Sequence, residues 1–215
     1  MNMAQTSNHR LLALDVIRGI TIAGMIMVNN PGSWQYIYSP LQHSQWNGLT
    51  PTDLVYPFFM FIMGVAIHFS MQKFNRIDKR VTFKIIRRTV ALFAVGISLE
   101  CFSNLCNGIF SWENLRILGV MQRLALAYCG GAFLTILLPK KYYLGTAGIL
   151  LLIYIILLQY FNGYVHSADN LISVIDIKLL GANHLTQEVA KGGNFPFEPE
   201  GLLSTIPCMY YWVHM

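Results

Sequence analysis

The sequence predicts an all-α, polytopic transmembrane helical bundle, and three observations carry that expectation. Of 215 residues, 54% are hydrophobic and only 12% are charged, against about 25% charged in an ordinary soluble domain. The mean hydropathy is +0.47. The apolar residues also fall into runs long enough to cross a hydrocarbon core of about 30 Å. In lipid the backbone must satisfy its own N–H and C=O groups, which a helix does within one segment.

Taken in order, residues 1–10 are a polar tail and residues 11–215 the membrane domain. Span one runs from Leu11 to Val28. It is long, is interrupted by Asp15 and Arg18, and has no small-residue cleavage site, so it reads as a retained span and not a cleaved signal. The loop Asn29 to Thr52 follows, then span two, Asp53 to Met71. Lys73 to Arg88 reads as a basic loop, and Thr89 to Phe102 as a short third span flanked by Arg88 and Glu100. Ser103 to Arg116 is a loop and Ile117 to Leu138 is span four. Lys140 and Lys141 make a tight turn before span five, Tyr143 to Phe161. Asn162 to Glu200 reads as a long polar loop. The last apolar run, Gly201 to Met215, is shorter than the roughly twenty residues a span needs. The expectation is five full spans plus the start of a sixth, from a C-terminally truncated part of a longer domain.

The net charge is +5, and its distribution excludes a nucleic-acid surface. Seven of the fifteen Lys and Arg lie between Lys73 and Arg88, the mark of a cytoplasmic connection. That stretch suits anionic lipid headgroups or a phosphorylated cytosolic ligand. Arg10, those seven, Lys140 and Lys141 make ten basic residues on one side, against Arg116, Lys178 and Lys191 on the other. The bias predicts a cytoplasmic N-terminus and puts the loop after span one on the outer face. The four cysteines, Cys101, Cys106, Cys129 and Cys208, show no CxxC and no metal-ligand spacing, so no metal site is expected. They read as free thiols, or as a Cys101–Cys106 disulfide if that end meets an oxidising compartment.

The stretch Asn29 to Gly64 is the most specific in the chain. It holds His43 in a segment free of Lys and Arg and dense in Trp, Asn, Tyr, Pro and Gly. Histidine serves as general base or nucleophile near neutral pH. Asn29, Asn30, Trp46 and Asn47 surround it, and amides can orient an imidazole or donate to an oxyanion. Asp53, at the start of span two, either holds the imidazole tautomer or is a helix N-terminal charge favoured by the dipole.

Other polar groups stand in or beside the spans. Asp15 and Arg18, three apart, share a helix face and form either an ion pair or the polar lining of a ligand path. Arg116, Gln122 and Arg123 gather at the start of span four. The two arginines, seven apart, fall on one helix side, where they suit an anionic ligand such as a phosphate or pair with Glu100, Glu113 or Asp15. His184 lies in an outer loop with Glu188, Glu198 and Glu200. That loop favours an amine or cation electrostatically, or is simply solvated.

These motifs converge. LDVIRG (Leu14 to Gly19), MVNN (Met27 to Asn30), HSQWNGLTPTDLVYPFFMFIMG (His43 to Gly64), LRILGVMQRLALAY (Leu115 to Tyr128), NHL (Asn183 to Leu185) and EPEGLLST (Glu198 to Thr205) appear in order. Together they resemble the heparan-α-glucosaminide N-acetyltransferase family, including its bacterial transmembrane members. The match fades after Ile206. The resemblance implies a multi-pass enzyme, an acetyl-CoA-dependent amino-sugar N-acetyltransferase. It would carry acetyl from cytosolic acetyl-CoA, as co-substrate, to a glucosamine amine across a membrane, here a bacterial inner membrane with His43 periplasmic. The family's active-site histidine falls on His43, and the asparagine implicated beside it on Asn29. Asp15, Arg18 and Arg116 match family positions and are expected on the acetyl-CoA path, with Trp46, Asn47, Gln122 and Arg123. Asn30, His184 and Glu200 are expected to meet the glycan. A homodimer would be in keeping with the family. Two other readings stand beside this one: a non-catalytic sugar transporter or binding protein, because intramembrane Asp15, Arg18 and Arg123 also suit a transport path, and an inactive fragment.

Overall fold

A computed structural model describes residues 12–33, 35–44, 48–71, 74, 78–165, 167, 169–190 and 193–213. The polar tail, Trp46, Asn47, Lys73, Arg76 and Lys191 lie outside the described residues. Among the described residues, five helices are long and apolar enough to cross a membrane, as the composition predicts. The chain divides into two compact units, Met1–Ala66 and Ile67–Met215.

In the first unit, α1 (Leu12–Asn29) precedes a loop with one 3-10 turn, Ser39–Leu41, and then α2 (Pro51–Met71) begins. Pro51 opens α2, where its missing N–H costs nothing. Small and branched residues bring α1 and α2 together: a Cβ on Gly24 would sit 3.7 Å from the Val55 side chain. The Thr52 hydroxyl donates to the Pro40 carbonyl at 3.0 Å and ties the loop to the first turn of α2.

The second unit contains α3 (Lys79–Cys106), α4 (Val120–Leu137), α5 (Tyr143–Tyr160), α6 (Leu171–Leu180) and α7 (Thr205–Val213). α4 packs against α3 and α7, and α5 also packs against α7. The buried side of α4 carries Ala125, Ala127, Gly131 and Ala132, and small residues of this kind let neighbouring backbones approach in a membrane bundle. Among the described residues no disulfide joins Cys101, Cys106, Cys129 or Cys208.

Two stretches differ from the expected layout. The third span is not short. α3 begins at Lys79, so most of the expected basic loop is helix. The Asp78 side chain caps it by accepting from the Lys79 N–H. Lys and Arg are good helix formers and keep their charged heads in water while their stems lie along apolar surface. The polar stretch after α5 is also structured. It holds α6 and an antiparallel hairpin, β1 (Gln187–Ala190) and β2 (Gly193–Pro196), with Gln187 opposite Pro196. Asn170, fully buried, ties this region together: its oxygen accepts from the Ile172 N–H, and its amide donates to the Gly163 and Val165 carbonyls. Gly181 ends α6 at φ +88°, a conformation suited to glycine.

Candidate functional site

The loop between α1 and α2 is organised around Asp53. Thr50-Pro51-Thr52-Asp53 has the spacing of a helix capping box. Asp53 Oδ2 accepts from the Thr50 N–H and hydroxyl, both at 2.9 Å, and from the Ser44 N–H at 3.3 Å. The other oxygen, Oδ1, lies 2.7 Å from His43 Nδ1. One carboxylate thus caps α2 and aligns the imidazole, joining the two roles that the sequence left open. A carboxylate accepts, so Nδ1 carries the hydrogen, and neutral His43 presents Nε2 as a lone-pair base. The His43 side chain is 63% exposed and that of Asp53 only 21%. The orienting group is sheltered while the imidazole faces outward.

Asn29 and Asn30 end α1. Their amides donate to the Met25 and Ile26 carbonyls, each at 2.9 Å, satisfying the last turn of the helix. Asp15 and Arg18 form the expected i,i+3 ion pair at 3.4 Å, both partly exposed.

The second unit holds a denser polar cluster. Arg116 precedes α4 and is not in it, so the seven-residue helical spacing to Arg123 does not apply. Arg116 pairs with acids more than eighty positions away and, of the acids expected from the sequence, feels the charge of Glu100. Its Nε donates to Glu198 Oε2 at 2.9 Å, and its Nη2 to Glu198 Oε1 at 2.5 Å and Glu200 Oε2 at 2.7 Å. Glu198 is 0% exposed, so the bidentate pair is what makes its burial tolerable. The hydrogen bonds from Glu198, with the charges of Glu198, Glu200 and Glu100, push the Arg116 pKa above its ordinary value. Burial and the neighbouring Glu198 push Glu200 up, against the pull of Arg116.

Arg123 reaches the same segment from within α4, donating to the Ser204 carbonyl at 2.9 Å. His184 Nδ1 lies 2.7 Å from the Leu115 carbonyl, to which it must donate, and Ile117 N–H returns a bond to the His184 carbonyl. His184 thereby braces the segment that presents Arg116. Gln122, 3% exposed, wedges its amide between Gly96 of α3 and Gly119.

Sequence reasoning missed Thr50 and Ser44 as partners of Asp53, although the capping-box spacing was visible. It also missed Asp176. This residue is fully buried, accepts from the Leu202 N–H at 3.1 Å, and leaves its Oδ2 without a partner. Burial pushes its pKa up to about 6. Nothing local in LISVIDIKLL distinguishes it from an exposed helical acid. Among the described residues, no group of His, Cys, Asp and Glu is arranged to hold a metal ion.

Comparison with known proteins agrees with these motifs. Residues 10–187 match the family model described as heparan-alpha-glucosaminide N-acetyltransferase, catalytic. The mouse protein named heparan-alpha-glucosaminide N-acetyltransferase is 39% identical over 127 residues, covering 58% of this chain and 19% of the mouse protein. The human protein of that name is 40% identical over 134 residues, covering 61% of this chain and 20% of the human protein. The chain thus spans about a fifth of the length of these relatives. With most of its length matched by the catalytic-domain model, and with His43 and Asp53 joined inside the matched stretch, the chain belongs to the heparan-alpha-glucosaminide N-acetyltransferase catalytic family.

Proposed function

We propose that this protein is a membrane-embedded acetyltransferase that moves acetyl from acetyl-CoA to the amine of a glucosamine-type sugar, with His43 at the centre of the reaction. The observation that carries this reading is the His43–Asp53 pair, 2.7 Å apart, with Nε2 outward and without a partner among the described residues. Asp53 fixes the tautomer and stabilises the imidazolium that forms when Nε2 takes a proton, as the carboxylate of a catalytic triad does. Nε2 serves in either of two ways. As a base, it takes a proton from the ammonium of the sugar; the amine nitrogen then attacks the thioester carbonyl, the C–S bond breaks, and the departing thiolate of CoA takes the second proton that the nitrogen loses as the amide forms. As a nucleophile, Nε2 itself attacks that carbonyl, the C–S bond breaks and CoA leaves as its thiolate, and the neutral amine then displaces the imidazole from the acetyl carbon, its lost proton passing to the thiolate. Asn29, at the end of α1 in the same unit, is the proposed partner of this chemistry.

The basic bias supports a cytoplasmic N-terminus, with His43 on the opposite, periplasmic face. It also supports the first turns of α3 as the approach for acetyl-CoA. Lys79, Arg80, Arg87 and Arg88 are exposed there, and phosphates are held by just such side chains. Arg116 is a poorer phosphate ligand, because Glu198 and Glu200 already occupy its guanidinium. Asp15 and Arg18 line the path on α1.

The test is acetyl transfer by membranes holding this chain, given labelled acetyl-CoA and glucosamine, with His43→Ala alongside. Product that vanishes in the mutant, with membrane insertion intact, supports the reading. Substantial residual transfer removes His43 from the mechanism. Glucosamine binding without acetyl-CoA binding or transfer turns the reading toward a non-catalytic sugar-binding protein.

A further inference from the structure

A small cavity of about 180 Å³ opens between α3 and the start of α4. Its lining includes Gly96, Leu99, Glu100, Arg116, Gly119 and Gln122. It is smaller than the roughly 300 Å³ at which pockets begin to enclose drug-sized ligands. At about 30 Å³ of liquid volume per water it has room for roughly six waters, which suits one sugar ring and not a nucleotide.

Two of its groups are unspent. Gln122 is 3% exposed, yet its amide has no hydrogen-bond partner among the described residues. The amide is held at the cavity by close packing: a Cβ on Gly96 would lie 2.6 Å from its Cδ and Oε1, and one on Gly119 would lie 3.1 Å from Oε1. Glu100, near the end of α3, lines the same cavity and feels the charge of Arg116, but makes no hydrogen bond or close ion pair among the described residues. Arg116 is the cation beside it, but Arg116 already faces Glu198 and Glu200. Arg123 points elsewhere, to Ser204. The charge left over at the cavity is therefore the carboxylate of Glu100, which repels a phosphate and attracts an ammonium. Ionisable groups in or beside a span are uncommon and often serve a ligand or a path.

We propose that this cavity is a subsite for the amino sugar, in which Glu100 receives the ammonium group and the Gln122 amide receives ring hydroxyls. The inference rests on the acetyltransferase reading for the identity of the acceptor. Under the same basic bias the cavity faces the acceptor side, at the end of α3 opposite its basic turns.

The experiment is equilibrium binding of labelled glucosamine to the purified chain in nanodiscs, without acetyl-CoA, against glucose as the sugar lacking the amine. Glu100→Gln, nearly isosteric, is expected to weaken glucosamine binding about tenfold, the size of one lost charge-assisted contact. Glucose and acetyl-CoA binding should be unchanged, and Glu100→Asp should recover part of the loss. Size-exclusion profiles matching the wild type keep misfolding apart from a lost contact. Unchanged glucosamine affinity in Glu100→Gln, equal binding of glucose and glucosamine by the wild type, or a loss of acetyl-CoA affinity instead overturns the subsite. The two readings fail separately. His43-dependent transfer with a glucosamine KM indifferent to Glu100 sinks the subsite alone. Glu100-dependent glucosamine binding by a chain that transfers nothing sinks the enzyme reading and leaves the subsite.

Discussion

Asp53 divides its carboxylate between two tasks: Oδ1 lies 2.7 Å from His43 Nδ1, and Oδ2 accepts from the Thr50 N–H and hydroxyl at the N-terminus of α2. The helix start and the imidazole are thereby fixed by one side chain, and disturbing either disturbs the other.

Replacing Asp53 with Asn tests this coupling. The amide is close in shape but can present its NH2 to Nδ1, which selects the wrong tautomer and loses the charge that stabilises an imidazolium. Transfer should fall by about a hundredfold or more, by analogy with the loss of a triad carboxylate. Thr50→Ala removes one donor to Oδ2 and should cost far less, with a helix-cap loss of about 1 kcal/mol. Initial rates at saturating acetyl-CoA, beside thermal melts, separate the two effects. Equal losses in both variants would argue for a purely structural role of Asp53.

Arg116 is expected to be structurally indispensable. Arg116→Ala leaves Glu198 buried without its counter-ion, and breaking a buried pair in this way costs about 3–5 kcal/mol. Arg116→Lys should recover only part of that, because an ammonium cannot make the bidentate contact. Adding Glu198→Gln to Arg116→Ala should restore stability relative to the single mutant. Melting in detergent reads all three, and a single mutant as stable as the wild type would contradict the geometry.

Asp176 predicts a pH dependence. Its folded pKa, about 6, lies above the ordinary value of 3.8. Below about pH 4 it is protonated in both states and contributes no penalty. As pH rises through the window from about 4 to 6, the unfolded chain gives up its proton first, so stability falls. Above about 6 the burial penalty is fully present, about 3 kcal/mol as an order of magnitude. Asp176→Asn should flatten this fall and melt relatively higher at pH 7.5 than at pH 4.5. An unchanged pH profile would show that the carboxyl titrates normally.

Neutralising the start of α3 should act on the nucleotide alone. With Lys79, Arg80, Arg87 and Arg88 changed to Gln, the KM for acetyl-CoA should rise about tenfold or more and become less salt-sensitive. The KM for glucosamine should stay within about twofold, since the change lies at the other end of α3 from Glu100. A shift in the sugar KM alone would reverse the assignment of the two ends.

How much of the site was legible depends on the range of the interactions that make it. His43 and Asp53 are ten positions apart and sit in one specific string, so the sequence pointed to both. The roles of Arg116 and Glu198 were not legible, because their contact spans 82 positions and a charged residue near a span does not advertise its partner. The heptad argument for Arg116 and Arg123 failed because α4 begins at Val120, after Arg116. The length of α3 was underestimated because charge was read as a loop signal, although Lys and Arg continue a helix readily.

The sequence by itself determined the number of long apolar helices and the stretch holding His43, since both follow from composition and from spacing along a short segment. Its basic bias also set the expected orientation. Only the tertiary structure decided which acids hold Arg116, that Asp53 both caps and orients, and that Glu100 and Gln122 meet at one cavity. Those outcomes depend on which side chains lose water together, and desolvation is settled by packing between segments far apart in the chain.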